Sequence, residues 1–242
     1  RSTNTIELDG GRKSLKLIAA DTATHAKWVA SLQPLILHTD FTDKYVVKQY
    51  IGSGATSKVY KVEHNSTKAI YACKRIQKQN MSDPAFLRSV HNEICILTKL
   101  RGRPEIVELV ELQESTNSVY IVTELMEGDR VTKQEVCYEP EDVLALSAFL
   151  LKALVCLEKG GFVHRDLKPG NVMLKYGNKR ISENTMKVID FGFAIELDKP
   201  MGSNTHVRCG TAGYIPPDVL NVAKTDVDYA KWDIFSVGVV IY

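Results

Sequence analysis

The sequence predicts an α+β fold in which a strand-rich part precedes a helix-rich part. Apolar and polar residues alternate in short stretches from residue 44 to about 124, and a long helical period follows at 140–160. Most predicted strands lie together before the long helix, with one helical stretch at 86–100 among them, which indicates an α+β arrangement rather than regular βαβ units. The chain has 242 residues, 44% hydrophobic and 25% charged, which is enough for one or two domains with a sizeable core.

Overall charge and cysteine usage exclude some classes of protein. The formal net charge is +2, which indicates neither nucleic acid nor an acidic partner. None of the five cysteines forms a C-x-x-C pair, so we expect a reducing, cytoplasmic setting rather than a disulfide framework. The apolar run 234–242 is too short to span a bilayer. Because the chain begins with Arg1 rather than Met, we expect a fragment.

Residues 1–33 predict two strands and a helix, which would make a poor core alone. Alternation on both sides of a Gly-Gly turn predicts the strands, and Asp21 or Thr22 can cap a helix that contains Trp28. The pattern resembles the C-terminal part of a pleckstrin-homology (PH) domain, whose phosphoinositide site would lie upstream. The alternative is an N-terminal extension that packs on the next domain. Residues 34–43 read as a linker.

The stretch 162–174 carries the strongest chemical signal. Its polar centre, H-R-D-L-K-P-G-N, lies between two apolar flanks. Asp166 can accept a proton from an attacking hydroxyl, Lys168 can neutralise a phosphoryl group, and Asn171 offers a neutral oxygen to magnesium. A solvated turn between two strands is the plain alternative. The stretch fills every specified position of H-R-D-L-x-x-x-N and so resembles the catalytic loop of protein kinases.

The stretch 50–60 has two glycines that let backbone N–H groups approach phosphate oxygens. It resembles the kinase Gly-rich loop G-x-G-x-x-G-x-V, although Ser57 replaces the third glycine. A simple β-turn is the alternative. The resemblance implies nucleotide contacts at Ile51, Gly52, Ser53, Gly54, Ala55, Thr56, Ser57 and Val59.

A lysine on the strand 69–76 has a partner at a suitable distance along the chain. The strand resembles the V-A-I-K strand, which implies that Lys74 holds the α- and β-phosphates while strand alternation turns Arg75 to the opposite face. The spacing at 86–100 predicts a helix. Glu93 on this helix lies 93 − 74 = 19 residues after Lys74 and is the expected ion-pair partner.

By resemblance, strands at 106–112 and 118–123 complete a five-stranded antiparallel sheet. Residues 124–128 then resemble the hinge that contacts adenine, with Thr123 as the gatekeeper. Further nucleotide contacts are implied at Ala72, Thr123, Glu124, Met126 and Met173.

A long amphipathic helix is predicted at 140–160. Its expected apolar face consists of Val143, Leu146, Phe149, Leu150, Leu154 and Leu157. The strand at 186–192 ends in D-F-G, and the resemblance implies that Asp190 binds magnesium together with Asn171. It also implies that Phe191 packs with Leu97, Leu109 and His164.

Residues 193–213 would form the activation segment. The stretch that ends it, residues 209–218, resembles the motif G-T-x-x-Y-x-A-P-E. Thr211 belongs to this substrate loop, whereas Pro216 and Asp218 depart from the pattern. Arg165 would usually meet an activation-loop phosphate. The usual acceptor position holds Val207, so Thr205, with Ser203 as a further alternative, is the predicted phosphorylation site.

Residues 233–242 resemble the start of the family's helix F, and Asp233 would anchor the catalytic loop. We expect a kinase domain truncated inside this helix and therefore unstable alone. Its exposed apolar residues would be Ile234, Val237, Val240 and Ile241.

Taken together, residues 44–242 resemble a bilobal protein kinase domain, with an N-lobe at 44–127 and an incomplete C-lobe at 128–242. Lys168 and Thr211 favour the serine/threonine type of protein kinase. The sequence as a whole resembles the calmodulin-dependent group of these kinases. Arg130 and Gly170 replace two acidic positions, which puts a preference for basic substrates in doubt.

The expected function is transfer of the γ-phosphate of Mg-ATP to a protein substrate. A nucleotide-binding pseudokinase or PH-type adaptor is the alternative, and a small-molecule kinase is a weaker one. A phosphoinositide or membrane surface is left open as a partner of the PH-like segment. Such a partner would recruit the protein from the cytoplasm to a membrane.

Overall fold

The computed structural model describes residues 5–9, 14–18, 21, 23–24, 41–54, 57–115, 117–131, 138–197, 209–220 and 228–242. Within these ranges, no helix combines the length and the apolar character that a membrane crossing requires.

The N-terminal segment contains the predicted hairpin. Strand β1 (Thr5–Asp9) pairs antiparallel with β2 (Ser14–Ile18). The Asp21 carboxylate accepts a hydrogen bond from the Thr24 backbone N–H at 2.6 Å, which is the geometry of a helix N-cap. The rest of the predicted helix, including Trp28, lies outside the described residues.

A five-stranded antiparallel sheet forms the N-lobe, with the strand order β3-β4-β5-β7-β6. Its strands are β3 (Tyr45–Ser53), β4 (Ser57–His64), β5 (Ile70–Gln77), β6 (Leu109–Glu114) and β7 (Ser118–Glu124). The predicted sheet is therefore present, but β6 begins three residues later than expected. Ile106 instead forms an isolated parallel bridge with Val188, which ties the N-lobe to the C-lobe.

The predicted linker 34–43 extends too far, because its last residues belong to the N-lobe. Helix α1 (Phe41–Lys44) leads directly into β3, and Phe41 is buried. Its ring stacks on Tyr120 of β7 with 4.0 Å between centroids. Burial of a phenylalanine side chain contributes about 2 kcal/mol, so the residue anchors the chain before the sheet begins.

Helix α2 (Pro84–Lys99) crosses one face of the sheet. Asp83 caps it by accepting from the Ala85 N–H at 2.9 Å, and Pro84 occupies the first turn, where its missing N–H costs nothing. Its buried residues are Val90, Glu93, Ile96 and Leu97. The apolar ones pack into the main core, and Glu93 alone brings a charge to the buried face.

The C-lobe is built around helix α3 (Pro140–Gly160), whose bounds match the prediction. Gly161 ends it at φ 73°, a left-handed conformation that glycine adopts without strain. The buried apolar positions are Leu146, Leu150, Ala153 and Leu157, and Asp142 in the first turn is also buried. Val143, expected on the apolar face, is 40% exposed.

Short elements complete the C-lobe around the polar loops. They are β8 (Phe162–Val163), β9 (Val172–Leu174), β10 (Met186–Val188), β11 (Ile195–Glu196), α4 (Pro217–Leu220) and α5 (Trp232–Ile241). Strands β9 and β10 pair antiparallel, as do β8 and β11. On α5, Ile234 is 59% exposed as expected, but Val237 is buried because it packs into the main core.

Candidate active site

The catalytic loop brings three polar side chains around the Asp166 carboxylate. Thr211 donates its hydroxyl to Oδ1 at 2.6 Å, and Asn171 donates its amide Nδ2 to Oδ2 at 3.0 Å. Lys168 lies 2.9 Å from Oδ2 and also contacts the Thr211 hydroxyl. The two carboxylate oxygens can accept about four hydrogen bonds, so room remains for one more hydroxyl.

The backbone of this loop is fixed by helix α5. Asp233, which is 3% exposed, accepts from the N–H of His164 at 2.6 Å and from the N–H of Arg165 at 2.8 Å. Arg165 has φ 63°, a strained value for a residue with a side chain. The predicted anchoring role of Asp233 therefore agrees with its contacts.

His164 links the catalytic loop to the strand end that carries Asp190. Its Nδ1 accepts from the Asp166 N–H at 3.3 Å, and its Nε2 faces the Ile189 carbonyl oxygen at 3.3 Å. This pair of contacts assigns the proton to Nε2. The His164 and Phe191 rings lie 5.0 Å apart, and Phe191 is fully buried in the main core, which also contains Leu97 and Leu109.

A second charged group lies between the lobes. Lys74 of β5 donates to both carboxylate oxygens of Glu93, at 2.7 and 2.8 Å, and lies 3.4 Å from the Asp190 carboxylate. Burial alone would lower the pKa of Lys74, but the two carboxylates outweigh it and raise that pKa. Lys74 is therefore a cation at neutral pH. Arg75 faces away and donates to Ser118, as alternation predicted.

The Asp190 carboxylate is charged and accessible. Burial alone would raise its pKa, but the Lys74 ammonium outweighs that effect, so the pKa of Asp190 falls below its usual value. The side chain is nevertheless 53% exposed, and the residue adopts φ 63°. A charged and accessible carboxylate can bind a metal cation, either in place of the Lys74 ammonium or together with it.

The donor set fits a magnesium ion. Asn171 uses Nδ2 for both of its bonds to Asp166, one to the carboxylate and one to the backbone oxygen at 2.9 Å. Its Oδ1 oxygen is thereby left as the group that a cation can use. Within the described ranges, no three His, Cys, Asp or Glu side chains form a metal cage. Magnesium suits such a sparse set, because it keeps waters and phosphate oxygens as its other ligands.

The Gly-rich loop lies between β3 and β4, where the prediction placed it. An added Cβ at Gly54 would lie 2.9 Å from the Ser57 hydroxyl, so a larger residue there would require that hydroxyl to shift. Ser57 is buried, whereas Ile51 is 44% exposed. The other loop positions are distributed as follows: Gly52 and Ser53 end β3, Val59 lies on β4, and Ala55 and Thr56 lie outside the described residues.

The remaining predicted nucleotide contacts come from three elements. Ala72 of β5 pairs with Thr123 of β7, and Glu124 follows as the last residue of that strand. Met126 is buried in the hinge. Met173 of β9 forms a bridge with Arg130, so it lies on the C-lobe side. The predicted nucleotide contacts of the sheet and hinge thus lie on the N-lobe side, and Met173 lies on the side of the catalytic loop.

A family model for the protein kinase domain matches residues 45–242. The chain belongs to the protein kinase family. Its described bilobal arrangement, with an antiparallel sheet above a helical lobe, agrees with that assignment.

The kinase is similar to several curated proteins. It is 34% identical to mouse ribosomal protein S6 kinase alpha-6 over 206 residues, which is 84% of this chain and 25% of that protein. It is 36% identical to a probable myosin light chain kinase of Dictyostelium discoideum over 206 residues, covering 82% of this chain and 61% of that protein. Human ribosomal protein S6 kinase alpha-2 is 36% identical over 208 residues, 84% of this chain and 26% of that protein. The chain thus spans a quarter to about three fifths of these relatives.

Sequence reasoning missed the ion pairs behind the hinge of this kinase. Glu124 contacts Lys175 at 2.6 Å and Lys187 at 2.9 Å, so one N-lobe carboxylate meets two C-lobe cations. Burial alone would raise the pKa of Glu124, but hydrogen bonds from the two lysines outweigh it and lower that pKa. Lys187 lies three residues before Asp190 in the sequence. Its contact with Glu124 has no local sequence signal, because the two residues are 63 positions apart.

Helix α2 holds the start of the activation segment through contacts that sequence reasoning also missed. The Ser89 hydroxyl donates to the Gly192 carbonyl at 2.7 Å, and the Asn92 amide donates to the Ala194 carbonyl at 3.3 Å. Ser89 lies one helical turn before Glu93 (i, i+4) and three residues before Asn92 (i, i+3), so its side chain neighbours both. The predicted phosphorylation site Thr205, with Ser203 and Val207, lies outside the described residues.

Proposed function

We propose that this protein is a serine/threonine protein kinase that transfers the γ-phosphate of Mg-ATP to a protein hydroxyl. The observation that carries the proposal is the Asp166 carboxylate, 5% exposed and bonded to Thr211, Asn171 and Lys168. A buried carboxylate with spare acceptor capacity, flanked by a lysine, suits a general base beside a transferring phosphoryl group.

Each residue of the catalytic loop then has a separate task. Asp166 orients the acceptor hydroxyl and takes its proton. Lys168 contacts both Asp166 and Thr211, so its charge lies where the phosphoryl oxygens would gain negative charge. Thr211 fixes the carboxylate by one short bond.

Bound Mg-ATP supplies the phosphoryl group and a divalent cation that neutralises its oxygens. Asp190 and Asn171 hold that cation through oxygen atoms. Lys74, kept in place by Glu93, binds the phosphates from the sheet. The Gly-rich loop covers the phosphates with backbone N–H groups, and residues of the hinge contact the adenine.

The acceptor type and the relatives support a protein substrate. Lys168 and Thr211 occur in the pattern of serine/threonine kinases, and the named relatives are S6 kinases and a probable myosin light chain kinase. Arg130 and Gly170 argue against a simple preference for basic substrates. A pseudokinase that binds nucleotide without turnover is the second candidate, and Ser57 in the Gly-rich loop favours it.

The deciding experiment measures transfer of labelled γ-phosphate from Mg-ATP to a general protein substrate by the full-length chain. Asp166→Ala and Asp190→Ala should each lower the rate more than about 100-fold. Glu183→Gln, which removes an exposed carboxylate of the same lobe, is the control and should keep the parental rate. Phosphoamino-acid analysis should show phosphoserine and phosphothreonine. Nucleotide binding without transfer in the parent would favour the pseudokinase.

The N-terminal hairpin and the capped start of a helix support a PH-like segment at 1–33. Its proposed partner is a phosphoinositide surface that recruits the protein from the cytoplasm. Equal sedimentation of the full-length protein with neutral and with phosphoinositide-containing vesicles would contradict the lipid part.

A further inference from the structure

The side chain of Arg165, the residue that precedes Asp166 in the chain, is buried. Arg165 is 8% exposed, and its Nε donates to the Phe193 carbonyl at 2.7 Å. Its Cζ lies 5.7 Å from the centre of the Trp232 ring. A cation within about 6 Å of an aromatic face is attracted by the negative face of the ring, most strongly by tryptophan.

Trp232 and Asp233 are consecutive residues of α5, and both hold Arg165. Asp233 accepts from its backbone N–H at 2.8 Å, while the Trp232 ring faces its side chain. Arg165 has φ 63°, which persists only where surrounding contacts impose it. The next residue in the chain is Asp166, so a shift of the Arg165 backbone would shift the general base as well.

Packing alone does not explain a tryptophan at position 232. The side chain is 2% exposed, and its Nε1–H has no hydrogen-bond partner within the part of the chain that the structure describes. An unpaired buried N–H is unfavourable, and a purely apolar side chain would avoid it. Tyr229 stacks on the ring at 5.9 Å and keeps it fixed. What tryptophan adds over an aliphatic residue is the ring face that meets Arg165.

We infer that Trp232 is a positioning residue of the phosphoryl-transfer site, which acts by holding the Arg165 guanidinium on its ring face and thereby fixing Asp166. The inference rests on the proposed function. Trp232 itself touches no reacting group, so its effect should fall on kcat rather than on nucleotide binding.

Two variants of the full-length chain test the inference. Trp232→Phe and Trp232→Leu both remove the N–H and reduce the side-chain volume, but only phenylalanine keeps an aromatic face. We expect Trp232→Phe to lower kcat about 3-fold and Trp232→Leu at least about 10-fold, with KM for Mg-ATP within about 2-fold of the parent. Their melting temperatures, measured alongside, should be similar to each other.

The same substitution in a chain that lacks the Arg165 guanidinium distinguishes a positioning role of Trp232 from a packing role. In an Arg165→Met chain, Trp232→Leu should lower kcat by less than about 2-fold, because the cation is already absent. Equal losses for phenylalanine and leucine, or the same loss in both backgrounds, would show a packing role and overturn the inference.

The Asp190→Ala chain in the same assay keeps the two proposals apart. A parent without Asp190-dependent transfer would overturn the proposed function and the role of Trp232 with it. An active parent whose two Trp232 variants match its kcat would overturn only the role of Trp232.

Discussion

Asp166 and Asp190 are both carboxylates of one cleft, yet their surroundings differ. Asp166 is 5% exposed and accepts hydrogen bonds from Thr211 and Asn171. The Asp190 side chain is 53% exposed and faces the Lys74 ammonium at 3.4 Å, a longer contact. The first carboxylate is fixed by short bonds from its own lobe, whereas the second is held loosely between lobes. A general base needs a fixed geometry, and a cation ligand needs open coordination positions.

The elements that support the two carboxylates differ in the same way. Asp166 depends on α5 through Asp233, a contact within the C-lobe. Asp190 depends on the N-lobe, through Lys74 and through Ser89 of α2. Movement between the lobes should therefore alter cation binding before it alters the catalytic loop.

The largest expected effect is at Asp233. Asp233→Asn replaces one acceptor oxygen by an NH₂ group that faces a backbone N–H, so at least one buried bond to His164 or Arg165 is lost. Each such bond contributes about 1.5–3 kcal/mol, so kcat should fall about 10- to 100-fold. KM for Mg-ATP should stay within about 3-fold, because the lobe interface is unchanged. A larger effect on KM than on kcat would contradict the separate support of Asp166.

Glu93→Gln should act on the other carboxylate. The Lys74 ammonium loses its paired counter-charge and moves toward Asp190, which then binds a cation less well. We expect KM for Mg-ATP to rise about 10-fold, a change of about 1.4 kcal/mol. Titration of free magnesium at fixed ATP checks the cause, since the apparent magnesium affinity should fall as well. The exposed Glu183→Gln serves as the matched charge control.

The hinge ion pairs should give a pH-dependent change in stability. Glu124→Gln removes the negative charge from both ion pairs and one of the two acceptor oxygens, and should lower Tm by about 2–4 °C at pH 7, the equivalent of about 1 kcal/mol. The folded pKa of Glu124 lies below its usual 4.5, so its stabilisation is complete above that value and is lost as the pH falls through the folded pKa. The Tm difference between parent and variant should therefore vanish in acid. A difference that persists at a pH low enough to protonate Glu124 in the folded protein would rule out the ion pairs as its cause.

The smallest expected effect is at Ser89. Ser89→Ala removes one neutral hydrogen bond to Gly192, worth about 1 kcal/mol, and should raise the magnesium requirement by at most about 5-fold. Thr98→Ala is the matched control, because the Thr98 hydroxyl donates to Ile94 of the same helix. If the two variants behave alike, α2 does not support Asp190 through this bond.

Much of the fold followed from local pattern. Alternation predicted strands on both sides of the Gly-rich loop and at 106–112 and 118–123, and the 3.6-residue period predicted α3 with its bounds, because both signals lie within about twenty consecutive residues. The five-stranded sheet itself was predicted from the resemblance to protein kinases. Strand β6 was misplaced, since Ile106 alternates like a strand residue but pairs with Val188 of the other lobe. Phe41 was assigned to the linker because its stacking partner Tyr120 is 79 residues away.

The sequence by itself determined which residues are the candidates for the active site. Motifs that resemble those of protein kinases predicted Lys74, Glu93, Asp166, Asn171 and Asp190, and the ion pair of Lys74 with Glu93 is present at 2.7 Å. Only the tertiary structure decided how those groups are held. The contacts of Arg165 with Trp232, of Glu124 with its two lysines, and of Ser89 with Gly192 each join residues more than 40 positions apart. Such contacts depend on how whole elements pack, and no local period or motif encodes that packing.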